Sequence, residues 1–140
     1  MARQTHLTRR RFLRLMGQAI IGSATLPLLQ ACSQYGREAV VINIMSHEPQ
    51  AYFDPPAVTI PAGTHVVWHN IGVLVQSVTC DPQQIDDAAR VHLPDGAEAF
   101  DSGDLFTGET FAYVFTTSGE YLYTSRYLRG QPLIGLIHVR

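Results

Sequence analysis

Lysine is absent from this chain: all ten basic residues are arginines, and they are unevenly spread. Arg3, Arg9, Arg10, Arg11 and Arg14 crowd the first fourteen positions, whereas all twelve acidic residues fall between Glu38 and Glu120. Beyond the N-terminal cluster, Arg37, Arg90, Arg126, Arg129 and Arg140 stand against those twelve carboxylates, a formal charge of −7. That sign argues against nucleic acid as a partner, because a polyanion binds through an excess of positive charge. Cysteine is nearly absent as well. With only Cys32 and Cys80, no disulfide framework is available. Internal repeats and low-complexity tracts are missing. So are a glycine-rich phosphate loop, a catalytic carboxylate pair and a nucleophile with its base and orienter, and no enzymatic activity is expected. What remains is a chain of 140 residues, 46% hydrophobic with mean hydropathy +0.02, which suits one globular domain of ordinary size.

The first thirty-one residues read as an address rather than as structure. Thr8-Arg9-Arg10-Arg11-Phe12-Leu13-Arg14 resembles the twin-arginine export motif, with Arg9, Arg10, Phe12 and Leu13 as its signal positions. The apolar stretch Leu15 to Leu29 that follows is diluted by Gly17, Gln18, Gly22, Ser23 and Thr25, and is short for a membrane span. Leu29-Gln30-Ala31-Cys32 resembles a bacterial lipoprotein cleavage box, which makes Cys32 the expected lipid attachment point. An uncleaved anchor helix with an incidental cysteine is the alternative, and Pro27 counts against it. The expected organisation is a signal peptide over 1–31, a lipidated tether over 32–38 and a folded domain over 39–140. The mature protein is then expected in the cell envelope, held by its lipid to a membrane on the periplasmic or extracellular side.

The body has the pattern of a small antiparallel sandwich or barrel, with brief apolar runs divided by turn signals. Ala39 to Met45, Val58 to Ile60, His65 to His69, Val73 to Cys80, Thr110 to Thr116, Gly119 to Ser125 and Leu133 to Val139 each predict a strand, for seven or eight in all. Asp81 to Leu105 is acidic and interrupted by Pro82 and Pro94, with one helix-compatible patch at Gln84 to Val91. It predicts a long crossover excursion. Cys80 ends an apolar alternation and reads as a small buried packing residue. Trp68, Phe111, Tyr113, Phe115, Tyr121 and Tyr123 read as core.

Several landmarks recur in one order. Phe53-Asp54-Pro55 precedes Val58-Thr59-Ile60, and Gly63 precedes Val66-Val67-Trp68-His69-Asn70. Phe100-Asp101-Ser102-Gly103, Gly108-Glu109-Thr110-Phe111, Phe115 through Tyr123, and Gly135-Leu136-Ile137-His138-Val139 follow. In this order residues 52–140 resemble the plastocyanin, pseudoazurin and halocyanin group of blue copper proteins, the cupredoxins. The resemblance implies an all-β, cupredoxin-like Greek-key sandwich.

It also implies where copper ligands would stand. The family's first histidine position falls on Gln76, just before Ser77-Val78, and its cysteine, second histidine and methionine positions fall on Ser125, Leu128 and Leu133. A type 1 site needs a thiolate and two imidazoles, with a weak axial ligand. A hydroxyl, an amide and two leucines cannot supply these, so no cofactor is expected, with copper held by non-standard ligands as the alternative. The six histidines give that alternative little support. His6 lies in the leader, His65 and His69 are roughly 13 Å apart on an extended strand at about 3.3 Å per residue, and His138 alternates with Ile137 and Val139.

With the ligands replaced, the end of the barrel where copper would lie becomes apolar, and in the family this end docks partners. Ile71, Val73, Leu74, Tyr127, Pro132 and Ile134 are the expected partner patch, with Arg126 and Arg129 beside it to orient a partner. Leu128 and Leu133 either join that surface or turn inward to fill the space. The function expected is a membrane-anchored protein-binding or assembly module in an envelope complex; the alternative is a copper electron carrier.

Overall fold

The computed structural model describes residues 38–127 and 132–140. The expected export signal (Arg9, Arg10, Phe12, Leu13), the lipid site Cys32 and the position Leu128 lie outside the described residues. Seven strands form two sheets. β1 (Val40–His47), β2 (Gln50–Asp54), β4 (Thr64–Asn70) and β5 (Thr110–Phe115) make a four-stranded sheet in the order β2-β1-β4-β5. β3 (Ala57–Ile60), β6 (Gly119–Thr124) and β7 (Ile134–Val139) make a three-stranded sheet in the order β3-β7-β6. Two pairings are parallel, β1 with β4 and β3 with β7, and the others are antiparallel.

The period of two expected from the sequence is present in space. Along β4, Thr64, Val66, Trp68 and Asn70 are buried while His65, Val67 and His69 are less covered. Ile42 and Ile44 of β1, Phe53 of β2, Phe115 of β5, Tyr121 and Tyr123 of β6 and Ile137 and Val139 of β7 complete the core. Trp68 is its centre. Its ring lies 5.7 Å from Phe111 in a stacked arrangement, 5.3 Å from Tyr123 edge-on and 5.9 Å from Phe100. Such pairs contribute about 0.5–1.5 kcal/mol each beyond the area they bury. Gly135 is required on β7, because a β-carbon there would land on the Tyr123 ring.

The expected strand over Val73 to Cys80 is not a regular strand. Its residues make isolated bridges, Gln76 to Leu105 and Thr79 to both Asp101 and Thr124. Its backbone is shared between two neighbours, so neither side builds a continuous ladder. The unforeseen strand is β2, whose Phe53 is buried and whose register with β1 runs from His47↔Gln50 to Asn43↔Asp54.

The crossover excursion is present, with two short 3-10 turns, Pro82–Gln84 and Ala88–Arg90, in and beside the patch that looked helix-compatible. Asp81 Oδ1 accepts from Gln83 N–H at 2.9 Å, and Asp87 Oδ1 accepts from Ala89 N–H at 3.1 Å. These local side-chain bonds compete with a continuing helix. The outer side of β6 is covered by the excursion, whose His92 exchanges backbone bonds with Leu122, and by the run before it, whose Thr79 does so with Thr124. An edge strand that would otherwise present unpaired groups is thereby closed.

Candidate functional site

One end of the sandwich gathers the residues that follow β1 and β4, precede β5, follow β6 and precede β7. Asn70, buried at the end of β4, organises it. Its Nδ2 donates to Leu74 O at 2.9 Å and Leu105 O at 2.8 Å, and its Oδ1 accepts from Gly72 N–H at 3.1 Å. Ser46 of β1 holds the same loop: its Oγ accepts from Leu74 N–H at 3.1 Å and its carbonyl from Val73 N–H at 3.2 Å. Gly72 sits where a β-carbon would collide with Ser46, so this close approach needs glycine.

Under that loop lies a knot of buried polar groups. Ser125 Oγ accepts from Ser77 N–H at 3.1 Å and Tyr127 N–H at 3.2 Å, and it donates to Gln76 Oε1 at 2.9 Å. With two backbone donors already on the hydroxyl oxygen, its one hydrogen is what remains for Gln76. The amide oxygen of Gln76 therefore faces Ser125. Ser77 Oγ accepts from Arg126 N–H at 2.9 Å. These bonds tie together segments about fifty positions apart in the chain, and Gln76, Ser77 and Ser125 are all fully buried. The Nε2 of Gln76 has no hydrogen-bond partner among the described residues.

Arg90, from the second 3-10 turn, reaches the same place from the other side. Its Nη2 donates to Thr124 Oγ1 at 2.6 Å and to Ser125 O at 3.0 Å, and the side chain is buried. Thr124 Oγ1 in turn donates to Leu133 O at 2.6 Å. A hydrogen-bonded relay thus runs from the excursion through β6 to the start of β7. Nearer the surface, Arg126 lies 3.6 Å from both Asp101 and Asp104, and the Tyr127 hydroxyl donates to Asp104 Oδ1 at 2.7 Å. That hydrogen bond to the carboxylate, which would be lost on ionisation, holds the Tyr127 hydroxyl above its usual pKa.

The partner-patch positions divide. Ile71, Val73 and Ile134 are exposed at 44%, 74% and 38%, and Pro132 is exposed too. Leu74 and Tyr127 are only partly covered by their neighbours. Leu133 turns inward and joins the core, which decides its open alternative. Phe106, 57% exposed, belongs to this surface and was not singled out from the sequence. Thr107 Oγ1 donates to Gly72 O at 2.7 Å and brings it beside Ile71 and Val73. The only signal was an aromatic in a short run before a Thr-Gly turn. Arg90 and Ser77 were also missed, because nothing local tells a buried arginine or serine from a solvated one.

The residues at the implied ligand positions do not fit a type 1 copper site. Gln76 and Ser125 are engaged with each other, Ser125 carries a hydroxyl proton rather than a thiolate, and Leu133 offers no lone pair. Among the described residues, no group of three or more His, Cys, Asp or Glu side chains is placed to hold a metal ion. The sole described cysteine, Cys80, is buried, with its thiol 3.2 Å from the carbonyls of both His92 and Leu122. Burial pushes that thiol up to about 12, opposed only in part by the backbone bond.

This two-sheet architecture is the cupredoxin-like β-sandwich. The chain is similar to a purple cupredoxin from Nitrosopumilus maritimus, at 22% identity and TM-score 0.54 over 72% of this chain and 99% of that one. It is similar to amicyanin from Paracoccus versutus at 24% identity and TM-score 0.54, over 74% of this chain and 83% of the other. It also matches 22% of the length of a Cu-containing nitrite reductase from Thermus scotoductus, at 24% identity and TM-score 0.55 over 73% of this chain. No protein-family model matches the chain, and no curated protein matches its sequence.

Proposed function

We propose that this chain is an exported lipoprotein, held through Cys32 to a membrane on its periplasmic or extracellular side, whose cupredoxin-fold domain has no type 1 copper and serves as a protein-binding or assembly module in an envelope complex. The observation that carries the reading is the Ser125–Gln76 hydrogen bond, which spends the two polar groups at the implied ligand positions on each other. Exposed apolar side chains at the same end, Ile71, Val73, Phe106 and Ile134, support protein recognition there, since contiguous apolar surface on a small domain marks a contact site. Arg126, steadied by Asp101 and Asp104, gives that surface a fixed charge pattern. The reading assigns the domain no catalytic step.

A copper electron carrier using non-standard ligands is the second reading. The nitrite reductase neighbour contains copper, and an amicyanin neighbour is in a reduced Cu(I) form. For this chain such a site would have to be built from His47, His65, His69, His92, His138 or Cys80. Metal analysis with visible absorption, after titration with cuprous and then cupric ions, separates the readings. The binding-module reading expects no stoichiometric copper and no thiolate-to-copper band in a folded protein; tight equimolar copper overturns it. Changing Gln76→His, Ser125→Cys, Leu128→His and Leu133→Met together is expected to create the band that the native chain lacks. Radiolabelled fatty acid incorporated in the native chain, and lost in Cys32→Ser, tests the anchor.

A further inference from the structure

The place where the chain enters the sandwich fixes which way the patch points, given the lipid anchor proposed above. β1 begins at Val40, and Val40 pairs with Val66 near the start of β4, while Ile44 pairs with Asn70 at its end. Because β1 and β4 are parallel, β1 runs toward the patch, and its last residues hold the patch loop through Ser46. The chain therefore enters at the end opposite Ile71, Val73 and Phe106. From Val40 to His47 the strand covers about 23 Å at roughly 3.3 Å per residue.

Seven residues, 33–39, separate Cys32 from Val40. The eight Cα steps across them reach at most about 28 Å. For the patch to touch the bilayer, the tether would have to be drawn almost fully taut along the flank of the sandwich, at a large cost in chain entropy. Charge opposes the same pose. Asp104 and Glu109 are exposed on either side of Phe106, and although Arg126 is shared by Asp101 and Asp104, three carboxylates outnumber this one described cation there, while the body carries a formal −7 toward an anionic lipid surface.

We propose that the patch faces away from the membrane and receives the water-exposed domain of another protein, one presenting an apolar contact with a neutral or basic margin, rather than lipid. A second copy on the same membrane does not fit, because parallel copies would present their patches in the same direction and could not meet face to face.

The test places one label at each end of the lipidated full-length protein, reconstituted in vesicles of phosphatidylethanolamine and phosphatidylglycerol. Val73→Cys marks the patch, and Ser118→Cys marks the β5–β6 turn, which lies at the entry end because Phe115 pairs with Thr64. Both positions are exposed, and buried Cys80 does not compete for the reagent. A fluorophore on Ser118→Cys is expected to be quenched by bilayer-resident nitroxide lipids, and one on Val73→Cys to keep its solution intensity. Vesicle-bound protein with the Val73→Cys label quenched as much as the other overturns the orientation and makes lipid the occupant. Protein that fails to float with the vesicles overturns the anchor, and the orientation falls with it.

Discussion

The middle of the sandwich and its patch end solve the same problem by opposite means. Around Trp68 the interior is filled by rings, with Phe100, Phe111, Phe115, Tyr121 and Tyr123 in contact and hardly a hydrogen bond among them. At the patch end the buried layer is polar, built from Asn70, Gln76, Ser77, Arg90, Thr124 and Ser125, while the surface over it carries Ile71, Val73 and Phe106. Apolar packing is tolerant in direction and demanding in volume; hydrogen bonding is the reverse. The core therefore sets how stable the domain is, and the polar layer sets how its end loops are arranged.

Perturbing each region in turn sharpens that contrast. Trp68→Ala, which empties the centre of the ring cluster, is expected to cost about 3–5 kcal/mol in urea or thermal unfolding. A loss below about 1 kcal/mol would mean that the cluster is not the source of stability. Ser125→Ala leaves the buried Ser77 N–H, the part-buried Tyr127 N–H and the Gln76 amide oxygen without their partner, and is expected to cost about 2 kcal/mol. Faster amide exchange at Ser77 and Tyr127 should accompany it, and unchanged exchange there would remove Ser125 from its place as the strut.

Alkaline pH probes a third point, where the core meets the excursion. The Cys80 thiol ordinarily ionises near 9.0, and in the folded protein it is pushed up to about 12. Between these values the unfolded chain gives up the proton that the folded chain keeps. Its contribution is therefore fully present below pH 9 and declines as pH rises toward 12, by up to about 1.4 kcal/mol per pH unit. Urea midpoints of the native chain and Cys80→Ala, compared at pH 8 and above pH 10, should converge as pH rises; a constant gap would refute this. Burial likewise holds the hydroxyls of Tyr121 and Tyr123 above their usual range, so both chains should lose stability in common above pH 10. The smallest effect is expected from Gln76→Leu, about 1 kcal/mol or less, since the change also removes a buried amide N–H that no described residue accepts. A loss as large as that of Ser125→Ala would show that Nε2 is satisfied after all.

How much of this was legible in advance follows the range of the interaction. Residues Val66 to Asn70 announce a strand and its two faces through their own alternation, and β4 keeps both. The run Val73 to Cys80 carries the same kind of signal, yet its backbone is divided between Leu105, Asp101 and Thr124, and no local pattern records that competition. The apolar residues at this end could be named from the sequence, but which of them are exposed could not, for Leu133 turned inward and Phe106 turned out.

Alone, the sequence determined the all-β class, the period of two along most strands and the long excursion between β4 and β5. These depend on side-chain type at short spacing, which the pleat converts directly into inside and outside. Tertiary structure decided that Ser125 meets Gln76, that Arg90 is drawn under β6, that Cys80 is sealed beneath His92 and Leu122, and that β1 enters at the end away from the patch. Each of these is a contact or a direction between segments far apart in the chain, set by which strands pair and in which sense. That choice belongs to the whole chain, because the cost of closing each loop is repaid only when both sheets are in place.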